Sequence, residues 1–269
     1  MSLEIISWNI LSGGFSDYGS TEKNPKRIVN LARAIKELKP DIVSLVDTYR
    51  WTEVFTPDDL KHIFEYPCVQ SVKLNDQRLI KKGHDNGITV FSRVAGTEIQ
   101  TVCLATRNAI KTHIVGIDVF SVYFDDVSED TRIKQTQTVL KLVDPNIPTI
   151  ITGDLNTFDE QDLTETVNNL NELAQKYPGP MKSMEASLTE MERGEVTKLL
   201  VNNGFVDLGL SKGNTVPAKL FPLPTDEPIL RIDYAFGNSQ VKLEEFKVLT
   251  EEKYGNLSDH YPIWMKVSI

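Results

Sequence analysis

Two nearly uninterrupted apolar runs bracket one amphipathic stretch at the start of this chain, and they restrict the fold more than any other feature. Leu3 to Leu11 is apolar and β-branched, broken only by Glu4, Ser7 and Asn9. A run of that kind suits a strand buried on both faces. Asn24-Pro25 then opens a helix whose apolar positions Ile28, Leu31, Ala32, Ile35 and Leu38 keep helical spacing. Pro40 stops it, and Asp41 to Asp47 reads as a second strand. Strand, helix, strand with both strands buried points to an α/β fold with covered sheets.

The rest of the chain continues the mixture. Strands are expected over Gly87 to Arg93, Thr97 to Leu104, Ala109 to Val115 and Val119 to Phe124. Ser128 caps a helix reaching about Val143, with Glu129 and Asp130 in its first turn. Pro148 to Thr152 is a strand, and helices run from about Glu160 to Lys176 and from about Glu185 to Asn202. Gly204 closes the latter. Strands over Leu230 to Phe236, Val241 to Leu249 and Tyr261 to Val267 end the pattern. Lys212 to Pro228 reads as a long surface loop. No repeat or long linker divides the 269 residues, so residues 1–269 are expected to form one domain.

Composition narrows the partners. With 38 acidic and 29 basic residues the formal charge is −9. A long polyanion is normally gripped by a basic stripe, so the balance argues against extended nucleic acid. Cys68 and Cys103 read as small apolar residues on or near strands, without a CxxC, which fits a reducing compartment. No apolar run reaches membrane-spanning length, and the N-terminus lacks the features of a signal peptide. A cytoplasmic protein is the expectation.

The candidate chemistry lies where strands end, as is usual for α/β sites. Asn9 lies near the end of the first strand and Asp47 closes the second. In Gly153-Asp154-Leu155-Asn156 the acid and the amide share a face of extended chain while Leu155 packs. Arg231-Ile232-Asp233-Tyr234 alternates polar and apolar, and Ser258-Asp259-His260 precedes the last strand. Of the four histidines, His260 alone has both an acid and a hydroxyl beside it at a loop–strand junction. A neutral His there suits general base work. His62, His84 and His113 read as structural.

Taken in order, Trp8-Asn9, Pro40-Asp41-Ile42-Val43-Ser44-Leu45 leading to Asp47, Gly87 to Ser92-Arg93, Arg132 with Gln135, Gly153-Asp154-Leu155-Asn156, Arg231-Ile232-Asp233-Tyr234 and Ser258-Asp259-His260-Tyr261-Pro262 resemble the endonuclease/exonuclease/phosphatase superfamily. The resemblance implies a DNase I-like four-layer α/β sandwich, with two packed, mainly antiparallel sheets flanked by helices. It implies a metal-dependent phosphoester hydrolase. Asn9 and Asp47, assisted by Asp259, would hold Mg²⁺ or Mn²⁺. Asp233 would orient His260, and Asp154 with Asn156 would handle the water, the leaving group and the phosphoryl oxygens. The base is Asp154 or His260; both placements satisfy the chemistry.

Two positions depart from the family. Asp47 stands where Glu is usual, one methylene shorter, and Mg²⁺ is exacting about ligand distance. Tyr123 stands where many members carry His; its hydroxyl can donate to a phosphate oxygen. Arg50 is expected to pair with phosphate and Trp51 to stack on the substrate, both following Asp47 directly. Arg93 is a further expected substrate contact. The leading expectation is a phosphodiesterase or phosphatase acting on a small or medium phosphoester, with no protein partner implied. The alternatives are a nuclease using Lys73, Arg78, Lys81 and Lys82, and a non-catalytic binding protein on the same fold.

Overall fold

The computed structural model describes residues 2–15, 25–83, 86–221, 223, 225 and 227–268. Asn24 and His84, read above as a helix start and a structural residue, lie outside them. The chain begins with β1 (Ser2–Asn9), α1 (Pro25–Leu38) and β2 (Ile42–Val46). Two short helices follow, α2 (Trp51–Val54) and α3 (Pro57–Phe64), then β3 (Cys68–Lys73), α4 (Gln77–Lys81) and β4 (Gly87–Ser92). The middle holds β5 (Glu98–Leu104), β6 (Arg107–Ile114), β7 (Ile117–Tyr123), α5 (Glu129–Leu142) and β8 (Thr149–Asp154). After α6 (Leu163–Lys176), α7 (Pro178–Glu192), α8 (Glu195–Asn202) and β9 (Phe205–Asp207) come β10 (Asp233–Asn238), β11 (Lys242–Val248), α9 (Glu252–Gly255) and β12 (Ile263–Ser268).

These strands make two six-stranded sheets, ordered β11-β12-β1-β2-β4-β3 and β5-β6-β7-β8-β10-β9. In each, the central pair is parallel, β1 with β2 and β7 with β8, and the other pairs are antiparallel. Leu3, Ile5, Ile42, Val46, Ile88 and Val90 of the first sheet join Ile110, Val119, Ile150 and Ala235 of the second in one buried cluster. Helices cover the outer faces. Leu31 and Ile35 of α1 and Leu60 and Phe64 of α3 pack on Ile6, Val43 and Phe91. Val139 of α5 and Val196 and Leu200 of α8 join the cluster on the other side. This is the four-layer arrangement expected from the sequence.

Local chemistry explains several boundaries. The Ser128 hydroxyl accepts from the Thr131 amide at the start of α5, and Thr56 forms a reciprocal capping box with Asp59 at the start of α3. One expected helix is really two. Tyr177-Pro178 opens α7 instead of preceding a gap, because proline fits the first helical turn. Gly194 then breaks the run, with φ 58 and a Cβ position only 2.9 Å from the Phe158 carbonyl. The expected strand from Leu230 starts at Asp233; Leu230 itself makes an isolated bridge to Val216.

Candidate active site

The sheets bring their polar strand ends to one place. In register, Asn9 lies beside Val46, and Asp154 lies between Tyr123 and Asp233. Gly153 makes that second alignment possible. At φ 143 it runs so close to β7 that a Cβ would sit 1.9 Å from the Val122 carbonyl oxygen. One hydrogen bond then joins the two sheets: Asn9 Nδ2 donates to Asp154 Oδ2 at 3.0 Å.

Asp154 is saturated. Its second oxygen accepts from the Asn156 amide at 2.9 Å. Asn156 adopts φ 49, a conformation Asn tolerates, and its Nδ2 donates to the Phe124 carbonyl at 3.1 Å. Burial, and then the neighbouring Asp233, raise the Asp154 carboxyl from 3.8 to about 7, against the pull of His260 and the Asn9 hydrogen bond. Asp233 Oδ2 lies 2.8 Å from His260 Nδ1. The His260 carbonyl accepts from the Trp8 indole at 2.9 Å, and its amide donates to Ser258 Oγ at 3.2 Å. Burial alone would lower the imidazole. The carboxylates of Asp233, Asp259 and Asp154 outweigh it and raise His260 from 6.5 to about 10.

Asp47 is different. It has φ 57, a left-handed turn at the end of β2 that re-aims a short side chain. Ser12 N donates to Oδ2 at 2.8 Å, whereas Oδ1 is buried with no hydrogen-bond partner among the described residues. Burial and the nearby Asp259 raise its carboxyl to about 7, opposed by the Ser12 amide, His260 and Arg27. A buried, unsatisfied carboxylate oxygen is costly unless a cation takes it. With Asp259 close enough for its charge to be felt and Asn9 Oδ1, which accepts from Leu11 N at 3.1 Å, the donors are all oxygen. That set fits a hard divalent ion.

There are two other acidic groupings among the described residues. Ligand atoms of Asp154, Asp233 and His260 lie within 4.8 Å of one another, and the hydrogen bonds above already take both Asp154 oxygens and the Asp233 Oδ2–His260 Nδ1 contact. Asp76, Asp125 and Asp126 form the second cluster. Arg107 reaches Asp76 at 3.0 Å and Asp126 at 2.5 Å, and Arg78 reaches Asp76 at 2.9 Å and also pairs with Asp125. Two guanidiniums therefore stand where a metal would. Arg107 also lies over the Tyr123 ring, 5.2 Å from its centre. Burial and the surrounding carboxylates of Asp47, Asp154 and Asp126 hold the Tyr123 phenol well above its ordinary range. It faces the site in its protonated form.

Two of the three expected substrate contacts, Trp51 and Arg93, need correction. Trp51 is fully buried, its indole donates to the Gly13 carbonyl at 2.8 Å, and its ring packs on Phe55 and Phe64. No face remains for a substrate. Arg93 sits at the wrong end of its sheet, because β4 is antiparallel to β2 and Ser92 aligns with Ile42. It pairs with Asp41 at 3.0 Å, about 20 Å from Asp47 at strand spacing. Arg50 pairs with Glu53 at 3.0 Å, and Lys73 reaches the same Glu53 at 2.9 Å. Its guanidinium therefore already has an anionic partner. His113 pairs with Asp118 at 2.7 Å, and His62 is exposed on α3.

Arg27 and Arg107 were not anticipated. Arg27 precedes the apolar positions Ile28 and Leu31 by one and four residues, which places it on the buried edge of α1. That spacing is the signal in the sequence.

The family model described as the endonuclease/exonuclease/phosphatase family matches residues 6–260. No curated protein matches the sequence. A 3′ phosphatase from Neisseria, bound to a product DNA hairpin, is 16% identical with TM-score 0.68, covering 99% of this chain and 100% of that one. An AP endonuclease from Archaeoglobus fulgidus is 16% identical with TM-score 0.66, covering 98% of each chain. A mannosyl-6-phosphatase from Bacteroides thetaiotaomicron is 15% identical with TM-score 0.63, covering 99% and 100%. At such identities the structural likeness speaks for the fold, while the family match spans nearly all of the chain. The chain belongs to the endonuclease/exonuclease/phosphatase family of phosphoester hydrolases.

Proposed function

We propose that the protein is a divalent-metal-dependent phosphodiesterase or phosphatase acting on a small or medium phosphoester. The observation that carries this reading is the buried Asp47 Oδ1, which has no hydrogen-bond partner among the described residues and feels the charge of Asp259. Asn9, Asp47 and Asp259 would hold Mg²⁺ or Mn²⁺, which would supply a positive charge against the phosphoryl oxygens.

The protein's own groups divide the remaining work. Asp154, raised to about 7, is near the ideal for a base that takes a proton from water at neutral pH. Asn9 Nδ2 and the Asn156 amide fix its two oxygens. His260, raised to about 10 and oriented through Nδ1 by Asp233, is an imidazolium whose Nε2–H donates to a phosphoryl oxygen. The Tyr123 hydroxyl, held protonated, would donate a hydrogen bond to the same charge. This assignment makes Asp154 the base and His260 the charge-stabilising donor.

Charge favours a compact substrate. Arg50 and Lys73 share Glu53, and Arg78 is engaged by Asp76 and Asp125. A net charge of −9, with Lys73 and Arg78 of the four expected cations already paired, favours a compact ester over an extended nucleic-acid backbone. The test is a turnover screen of the Mg²⁺- and Mn²⁺-loaded protein over diesters, sugar phosphates, lipid headgroups, nucleotides and abasic DNA. Release of phosphate or alcohol from small esters, abolished in His260→Ala, is the expected result. Turnover confined to DNA or RNA would move the protein to the nucleases. No turnover with any class would reject the hydrolytic reading.

A further inference from the structure

Arg27 is a charged side chain only 6% exposed. Its guanidinium donates to four main-chain carbonyls. Nε reaches Leu257 O at 2.8 Å and Nη1 reaches Phe15 O at 2.7 Å. Nη2 reaches Ile10 O at 2.5 Å and Leu11 O at 2.9 Å. These carbonyls belong to two separate segments. One follows Asn9 directly. The other immediately precedes Ser258-Asp259-His260.

The first segment would not choose this shape alone. Leu11 and Ser12 both have φ 49, a left-handed conformation that costs on the order of 1 kcal/mol per residue with a side chain. The result of that shape is functional geometry. Leu11 N donates to Asn9 Oδ1 at 3.1 Å, and Ser12 N donates to Asp47 Oδ2 at 2.8 Å. Gly13 N donates to the Asp47 carbonyl at 2.7 Å. The strained turn thus aims the amides that orient two of the three proposed metal ligands. The second segment carries the third ligand and His260, and Ser258 Oγ crosses back to Asn9 O at 2.6 Å.

We infer that Arg27 is a positioning residue for the catalytic centre: its planar fork locks the Ile10–Phe15 turn to the Leu257–His260 loop, fixing Asn9, Asp47 and Asp259 relative to one another. This rests on the proposed metal-dependent hydrolysis for its functional meaning. The clamp itself is independent of it. The fork matters because lysine offers a single flexible ammonium, which cannot span carbonyls on two segments in one plane. The guanidinium also keeps a positive charge beside Asp47 and Asp259.

The test compares Arg27→Lys with the wild-type full chain, using far-UV circular dichroism to confirm folding. Mn²⁺ calorimetry reads the ligand set, and hydrogen exchange of the Trp8 indole N–H, bonded to the His260 carbonyl, reads the loop. Expected are Mn²⁺ binding weakened by about tenfold or more, as when ligand-orienting groups are lost, and Trp8 indole exchange faster by about tenfold. On the best small ester, kcat should fall with KM nearly unchanged, a split that a purely structural role would not give. A folded Arg27→Lys with Mn²⁺ affinity and indole exchange both within about twofold of wild type overturns the proposal. If Arg27→Lys does not fold, native-state exchange of the wild type decides. The Leu11 and Ser12 amides must then open together with Leu31 of α1, and independent opening overturns the clamp. Absence of turnover in the wild type would reject the hydrolytic reading, while the exchange measurement would still judge Arg27.

Discussion

Asp47 and Asp154 form a natural pair for comparison. Each follows or closes a central parallel strand, one in each sheet, and burial raises each to about 7. Their surroundings are opposite. Asp154 has both oxygens occupied, by Asn9 and by the Asn156 amide. Asp47 has one oxygen on the Ser12 amide and the other without a hydrogen-bond partner among the described residues. The same acidity therefore carries two meanings. In the proposed mechanism the donors on the Asp154 side hold a carboxylate still for proton transfer. On the Asp47 side the same proposal gives the open acceptor to a cation.

The sharpest way to break this comparison is Asp154→Asn. It should lower kcat by about 10³-fold, within the range for loss of a positioned base, while Mn²⁺ affinity measured by calorimetry changes only slightly. A large loss of metal binding would merge the two sides. Asp47→Asn should do the reverse, weakening Mn²⁺ by about tenfold or more, since even outer-shell losses cost 10–100-fold. Unchanged affinity would remove Asp47 from the ligand set.

The pH dependence of stability tests both sides together. On folding, Asp47 and Asp154 rise from 3.8 to about 7, and His260 rises from 6.5 to about 10. All three bind protons more tightly in the folded state, so their contributions are full at low pH and are lost as pH rises. The carboxylates act between about pH 4 and 7, and His260 from about 6.5 to 10. Each group contributes a slope of at most about 1.4 kcal/mol per pH unit. Thermal melts of the metal-free protein should therefore show Tm falling from pH 5 to pH 8. Asp47→Asn should flatten the lower part of that fall, and a Tm rising over the interval would reverse the assignment. The smallest effect belongs to Arg93→Ala. At the far end of its strand and in an exposed pair with Asp41, it should change stability by about 0.5 kcal/mol or less and leave kcat/KM within about twofold.

The sequence made the central strands legible because burial on both faces leaves an apolar run. β1, β2, β7 and β8 are of that kind, and so the strand-end residues Asn9, Asp47, Tyr123 and Asp154 could be found. β3 was hidden because Cys68–Lys73 is an edge strand, half-buried throughout until an exposed Lys73. Arg93 misled for a different reason. A linear sequence gives no direction to a strand, and the antiparallel alignment carried Arg93 away from Asp47. Trp51 adjoins Asp47 in sequence, yet the intervening turn sends its ring into the core. Adjacency along the chain misplaced Trp51 and Arg93, because neither the turn nor the strand direction is written in it.

The pairing of β1 with β12 reaches beyond the site. Ser2 lies beside Ser268, and Ser7 beside Ile263, in the interior of a sheet. Strand β1 therefore keeps an open hydrogen-bonding edge until roughly 250 further residues exist to fill it, a closure that topology makes slow. At 5–20 residues per second, synthesis alone takes on the order of ten seconds or more. Asn9 waits that long for His260. No truncated product of translation that lacks β12 can hold the whole constellation, so the candidate site is completed in one step, with the closing of the sheet.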